Sequence, residues 1–112
     1  MLMFMPMWRD LDLRHLLALD AVAAEGTFAR AAERLGYTQS AVSQQIAALE
    51  RTVGEKVFDR PRGPRAVELT PFGAELLRGG RDLLARVEAL ADDLDRFRTG
   101  QTGRLTIGTF QS

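Results

Sequence analysis

The sequence predicts a mainly α fold: three short helices and a small β-hairpin, followed by one long helix. Three observations carry this. Three stretches with apolar residues at helical spacing each start at a capping residue and stop at a glycine, Gly26, Gly36 or Gly54. A Pro- and Gly-rich break, "RPRGPR" at 60–65, then separates two short β-prone runs. From Thr70-Pro71 onward, apolar residues recur at alternating steps of four and three.

The first helix is expected over 12–25, "DLRHLLALDAVAAE". Asp12 caps it, Leu13, Leu16, Leu19, Val22 and Ala23 form its apolar face, and Gly26 ends it. Thr27 caps a second helix whose face is Phe28, Ala31, Ala32 and Leu35, and Gly36 fits the left-handed position that stops it. Only Tyr37 and Thr38 precede the third helix, which Thr38 caps and Gly54 ends. Its buried stripe is Val42, Ile46, Leu49 and Val53. Two short helices joined by so tight a turn cross steeply, in helix-turn-helix geometry. Ala32 and Gly36 are expected to let them approach closely. The first helix must cover the apolar side of the pair.

Val57–Arg60 and Ala66–Leu69 read as the strands of a hairpin, too short to stand without leaning on the helices. A hairpin with a basic tip in this position is a wing, so the unit is a winged helix-turn-helix. Thr70-Pro71 is a strong helix start. The helix from there is expected to run to about Arg98, with Leu76, Gly80, Leu83, Val87, Leu90, Leu94 and Phe97 on a coiled-coil seam. Gly79 and Gly80 weaken it, and Gly80 on the seam points to close backbone approach or a kink. The expected organisation is an extension over 1–11, the winged unit over 12–70, a linker or dimerisation helix over 71–99, and a hinge with the first strand of a further domain over 100–112.

Composition excludes several classes. The chain has no cysteine and one histidine, His15, so neither a thiolate nor a histidine-built metal centre can form. His15 reads as an ordinary surface or boundary residue of the first helix. No run approaches a membrane span. The start "MLMFMPMWR" lacks a basic n-region and a small-residue cleavage site, so the expected location is the cytoplasm. Fifteen basic and 15 acidic residues balance, which counts against a binder that merely sticks to polyanions. No nucleophile–base set, carboxylate pair or phosphate loop stands out, so an enzyme is not expected, and no cofactor is expected within these residues.

The third helix carries an unusual face. Gln39, Ser40, Ser43 and Gln44 are polar and uncharged where a solvated helix commonly shows Glu and Lys. In a helix-turn-helix this end enters the DNA major groove. Gln can bond an adenine edge bidentately, and Ser can bond bases or phosphate. Alone, the pattern also fits a polar surface helix; the turn before it and the wing after it favour DNA. Arg60, Arg62 and Arg65 at the hairpin tip suit phosphates or a narrow minor groove, or a solvated loop.

The text "FARAAERLGYTQSAVSQQIAALERTVGEKVFDR", followed by "LTPFG", resembles the N-terminal part of LysR-type transcriptional regulators. The resemblance spans roughly 12–112, including "GRLTIG". It implies a bacterial regulator that binds an interrupted inverted repeat in double-stranded DNA. It further implies a homodimer through the linker helix, a tetramer at full length, and a C-terminal domain that senses a small-molecule effector. Carried over by position, it implicates Thr27, Thr38, Gln39, Ser40, Ser43, Gln44 and Arg60 in DNA contact; Arg62 and Arg65 are added from charge and position. Ser40 stands where the family commonly has proline, and Gln44 occupies a variable reading position. The wing is longer than the commonest form. Dimerisation is assigned to Leu76, Leu83, Val87, Leu90, Leu94 and Phe97. Two other readings remain open: a different dimeric winged-helix regulator, and a helical protein whose coiled coil binds a protein partner.

Overall fold

The computed structural model describes the backbone of residues 7–59 and 66–103 and the side chains of 9–59 and 66–100. In chain order the elements are α1 (Met7–Asp10), α2 (Leu13–Glu25), α3 (Phe28–Leu35), α4 (Gln39–Val53), β1 (Phe58–Asp59), β2 (Glu68–Leu69) and α5 (Pro71–Gly103). The mainly α winged helix-turn-helix expected from the sequence is the fold observed. The chain divides into two compact units, Met1–Arg81 and Asp82–Ser112.

In the first unit the helix ends are set by local chemistry. The Asp12 carboxylate accepts from the Arg14 N–H at 2.9 Å, capping α2. Thr27 Oγ1 accepts from the Arg30 N–H at 3.1 Å, and Thr38 Oγ1 from the Ala41 N–H at 3.0 Å. At the α3–α4 turn Gly36 adopts φ 74°, where a side chain would be strained. A Cβ there would meet nothing within 4 Å. Gly36 is therefore needed for its backbone conformation and not, as the sequence suggested, for close helix approach.

The core lies where α2, α3 and α4 meet. Leu16, Leu19, Val22, Ala31, Ala32, Val42, Ile46 and Leu49 are buried as expected. Phe28, Leu35 and Val53 pack against it half-buried. Leu13 is the exception: it is exposed, while Ala18 and Ala21 join the core. Helix α2 faces both α3 and α4, so its buried arc is wider than a single stripe. The Phe28 and Phe58 rings meet edge to face, centroids 6.3 Å apart, and tie the wing base to α3.

Of the expected strand residues, Val57, Ala66 and Val67 fall outside the strands, and the Val57 and Val67 N–H groups bond elsewhere; Arg60 lies outside the described residues. The Val57 N–H goes to the Glu50 carboxylate at 2.9 Å, although its carbonyl still accepts across the hairpin from the Thr70 N–H at 3.0 Å. The Val67 N–H goes to the Gly26 carbonyl at 3.0 Å. What remains pairs antiparallel, Phe58 opposite Leu69 and Asp59 opposite Glu68. The two facing carboxylates oppose this pairing.

Helix α5 begins on this platform. Thr70 Oγ1 accepts from the Gly73 N–H at 2.9 Å while its hydroxyl donates to the Lys56 carbonyl at 2.8 Å. A Cβ on Gly73 would lie 2.1 Å from the Val57 carbonyl oxygen. Leu77 is buried, and a Cβ on Gly80 would lie 3.2 Å from Leu16 Cδ2. The close approach anticipated at Gly80 is therefore made to α2 of the same chain. The helix runs unbroken through Gly79 and Gly80.

Two boundaries need correction. Helix α5 continues to Gly103, past the end expected at 98–99, so residues 100–103 are helical and not hinge. Adding a residue to an existing helix gains a hydrogen bond without a new nucleus, which offsets the low propensity of Gly100. The extension over 1–11 is not featureless, since α1 lies against α4 and Leu11 packs on the core. Of the strand expected within 100–112, the part from 104 onward lies outside the described residues. No helix among the described residues is long and apolar enough to cross a membrane, and no group of three acidic or histidine side chains among them could hold a metal.

Candidate nucleic-acid interface

The N-terminal end of α4 is capped by Thr38 and carries no charged side chain in its first turns. Its buried stripe, Val42, Ile46 and Leu49, fixes the rotation of the helix on the core. That leaves Thr38, Gln39, Ser40 and Gln44 exposed and Ser43 half-buried. The structure thus brings together all five expected residues of this segment. Thr38 spends an oxygen lone pair on the Ala41 N–H, and its hydroxyl hydrogen stays available to donate. The first-turn N–H groups of α4 add partial positive charge at this end. Amide, hydroxyl and backbone donors converge without a carboxylate among them.

Thr27 caps α3 and is half-buried, so its local role accounts for its presence. Sequence reading missed Arg51. It is exposed and lies seven residues beyond Gln44, on the same helical face, so it extends that face with a cation. The seven-residue interval from Gln44 is the signal that could have found it. Arg60, Arg62 and Arg65 lie outside the described residues. The described wing base carries Asp59 and Glu68, so no basic group of the wing is described.

At the start of α2, Arg14 grips Asp12 by Nε and by an Nη at 2.8 Å. The side-chain hydrogen bond from Arg14, then that from its backbone N–H, hold the Asp12 carboxyl down at about 2. The same hydrogen bond raises the Arg14 guanidinium above its usual value. A second ionic cluster joins α2, α3 and the first turns of α5: Asp20 accepts from Arg81 at 2.8 Å and lies 3.8 Å from Arg34, which also faces Glu25 at 3.6 Å. All these side chains are at least partly solvated, and they orient the elements more than they stabilise them.

In the second unit, Leu83, Val87, Leu90, Leu94 and Phe97 are all exposed, between 40 and 57%. Leu76, assigned to the same seam, instead packs half-buried against the core of the first unit, next to the buried Leu77. The exposed part of the seam therefore begins at Leu83.

Residues 13–74 match the family described as bacterial regulatory helix-turn-helix protein, lysR family. The chain is 45% identical over 97 residues to the HTH-type transcriptional regulator IlvR of Caulobacter vibrioides, covering 87% of this chain and 32% of that protein. It is 35% identical over 103 residues to the small neutral protease regulatory protein of Streptomyces coelicolor, covering 92% and 31%. The chain thus spans about a third of the length of these relatives. Among solved structures, the DNA-binding domain of BenM in complex with benA site 1 DNA superposes with a TM-score of 0.72 at 33% identity, over 81% of this chain and all of that one. Full-length CbnR complexed with its target DNA gives 0.71 at 31% identity, over 80% of this chain and 31% of that one. With the fold, the capped helix-turn-helix and the residues matched all in agreement, the chain belongs to the lysR family of bacterial regulatory helix-turn-helix proteins.

Proposed function

We propose that this chain is the DNA-binding and dimerisation part of a cytoplasmic, non-enzymatic transcriptional regulator. The N-terminal face of α4 reads base edges in the major groove. The observation that carries this is the exposed, uncharged set Thr38, Gln39, Ser40 and Gln44 at the end of a helix whose rotation is fixed by its core stripe. Neutral amides and hydroxyls discriminate bases, where ammonium groups would chiefly hold phosphate. Thr27, with the α3 N-terminus, meets a phosphate, and Ser43 supports the reading face from its edge. Arg60, Arg62 and Arg65 of the wing hold the backbone or minor groove, and Arg51 holds the backbone beyond Gln44.

Two copies pair through the seam from Leu83 to Phe97 and place two reading helices on an interrupted inverted repeat. The full-length protein assembles further, to a tetramer, and binds a small-molecule effector in a C-terminal domain. That BenM and CbnR, at 33% and 31% identity, are solved with DNA supports the reading. Selection of bound sites from a random DNA pool tests it. The expected result is one motif of two inverted half-sites, with binding that weakens steeply as salt rises. Absence of any enriched motif, or an enriched single half-site bound by a monomer, would contradict it.

A further inference from the structure

The exposed seam of α5 is flanked by a charge pattern that is complementary to itself. Leu83, Val87, Leu90 and Leu94 are symmetric in sequence: reversing the helix places residue 83 against 94 and residue 87 against 90. Two antiparallel copies in that register interdigitate all four apolar layers. On one flank of the seam, one heptad apart, stand Arg86 and Asp93; on the other stand Leu84 and Ala91. In the antiparallel arrangement each flank meets the same flank of the partner. Arg86 of each copy then faces Asp93 of the other, twice over, and Leu84 faces Ala91. In a parallel arrangement Arg86 would face Ala91 and find no complement, and Asp93 would face Arg98 instead.

We infer that Arg86 and Asp93 are the residues by which this seam selects a second copy of its own chain over other helices with the same apolar spacing. The inference rests on the dimer reading above. Both side chains are exposed along a described stretch of α5. Among the described residues Arg86 has no ion-pair partner, and Asp93 has only the exposed intrahelical contact to Arg96. Such a contact is weak and readily shared with a second cation. The apolar layers supply the attraction; the two Arg86–Asp93 contacts decide which helix, and in which direction, is accepted.

The test is sedimentation equilibrium of this chain at low and high salt. It compares wild type, Arg86→Glu, Asp93→Arg, the double variant, and an equimolar mixture of the two single variants, with native mass spectrometry to distinguish homodimer from heterodimer. Each single variant places like charges in both contacts, and its self-association should weaken about tenfold at low salt and less at high salt. In the mixture both contacts are again complementary, so the heterodimer should dominate, and the double variant should recover wild-type association. Arg96→Ala, which removes only the intrahelical ion pair of Asp93, should associate as wild type does. A dimeric wild type whose Arg86→Glu variant associates equally well, or whose mixture shows no heterodimer preference, overturns the inference alone. A monomeric wild type overturns the dimer reading beneath it as well.

Discussion

Helix α5 carries one apolar repeat through two environments. Up to Arg81 its inward positions are Gly73, Leu77 and Gly80, all buried by the chain itself. From Asp82 onward the repeat that Leu76 and Gly80 begin presents Leu83, Val87, Leu90, Leu94 and Phe97 to solvent. The difference shows what periodicity reports and what it does not. An alternating step of four and three says that a helix has an apolar face; it does not say what covers that face. What covers it is set by the neighbours: Gly73 and Gly80 stand where α5 meets the Val57 carbonyl and the Leu16 side chain, and Leu77 is buried between them.

The comparison can be broken at its tightest point. Gly73→Ala would press a methyl into the Val57 carbonyl, and because that neighbour is backbone it cannot turn aside. We expect a destabilisation of about 3 kcal/mol in urea unfolding; a change under about 1 kcal/mol would show that the carbonyl is not rigidly held. In the second half of the helix, Val87→Asp should leave the core of the first unit intact yet weaken self-association by about 3 kcal/mol, through a charge buried without a partner. Sedimentation should report a monomer with unchanged near-ultraviolet circular dichroism, and a persisting dimer would place the interface elsewhere.

Adjacent glycines sharpen the contrast. Gly79 faces open space, whereas Gly80 faces Leu16 at 3.2 Å from an added Cβ. Gly79→Ala should stabilise by about 0.5–1 kcal/mol through helix propensity. Gly80→Ala gains the same propensity but must displace Leu16, so it should fall short of Gly79→Ala by about 1 kcal/mol in thermal or urea melts. Equal effects would mean that Leu16 yields freely.

The smallest effect concerns acid. Asp12 titrates near 2 when folded, against an ordinary value of 3.8, because Arg14 binds its ionised form. A depressed carboxyl stabilises the fold above its unfolded value, and that contribution disappears as pH falls from about 4 to 2. The slope of stability with pH across this window should flatten in Asp12→Asn, and an unchanged slope would assign the acid sensitivity to other groups.

What could be read from the sequence was local. Asp12, Thr27 and Thr38 cap residues two or three positions away, and Gly26, Gly36 and Gly54 set dihedral angles of their own, so each acts within its own segment. What could not be read was long-range. The need for glycine at 73 comes from Val57, and the Val57 and Val67 N–H groups bond to Glu50 and Gly26, outside the strands. Leu13 matched the stripe yet is exposed, because the packing of several neighbours, not one, decides which arc of α2 is covered. At the candidate interface, Thr38, Gln39, Ser40 and Gln44 were legible because the apolar stripe fixes the opposite side. Arg51 was missed because the polar face of this helix was read only over its first turns, while its apolar stripe was followed to Val53.

The reading of α4 is tested most directly by Gln44→Ala beside Arg60→Ala, measured on the selected site and its single-base variants across a salt series. If Gln44 reads a base, its removal should relax preference at one position of each half-site by about 1–3 kcal/mol and leave the salt slope unchanged. Arg60→Ala should weaken all sequences evenly and lower the slope by about one unit for each phosphate left without its cation in each subunit. Base preference untouched by Gln44→Ala, with a changed salt slope, would contradict the placement of α4 in the groove.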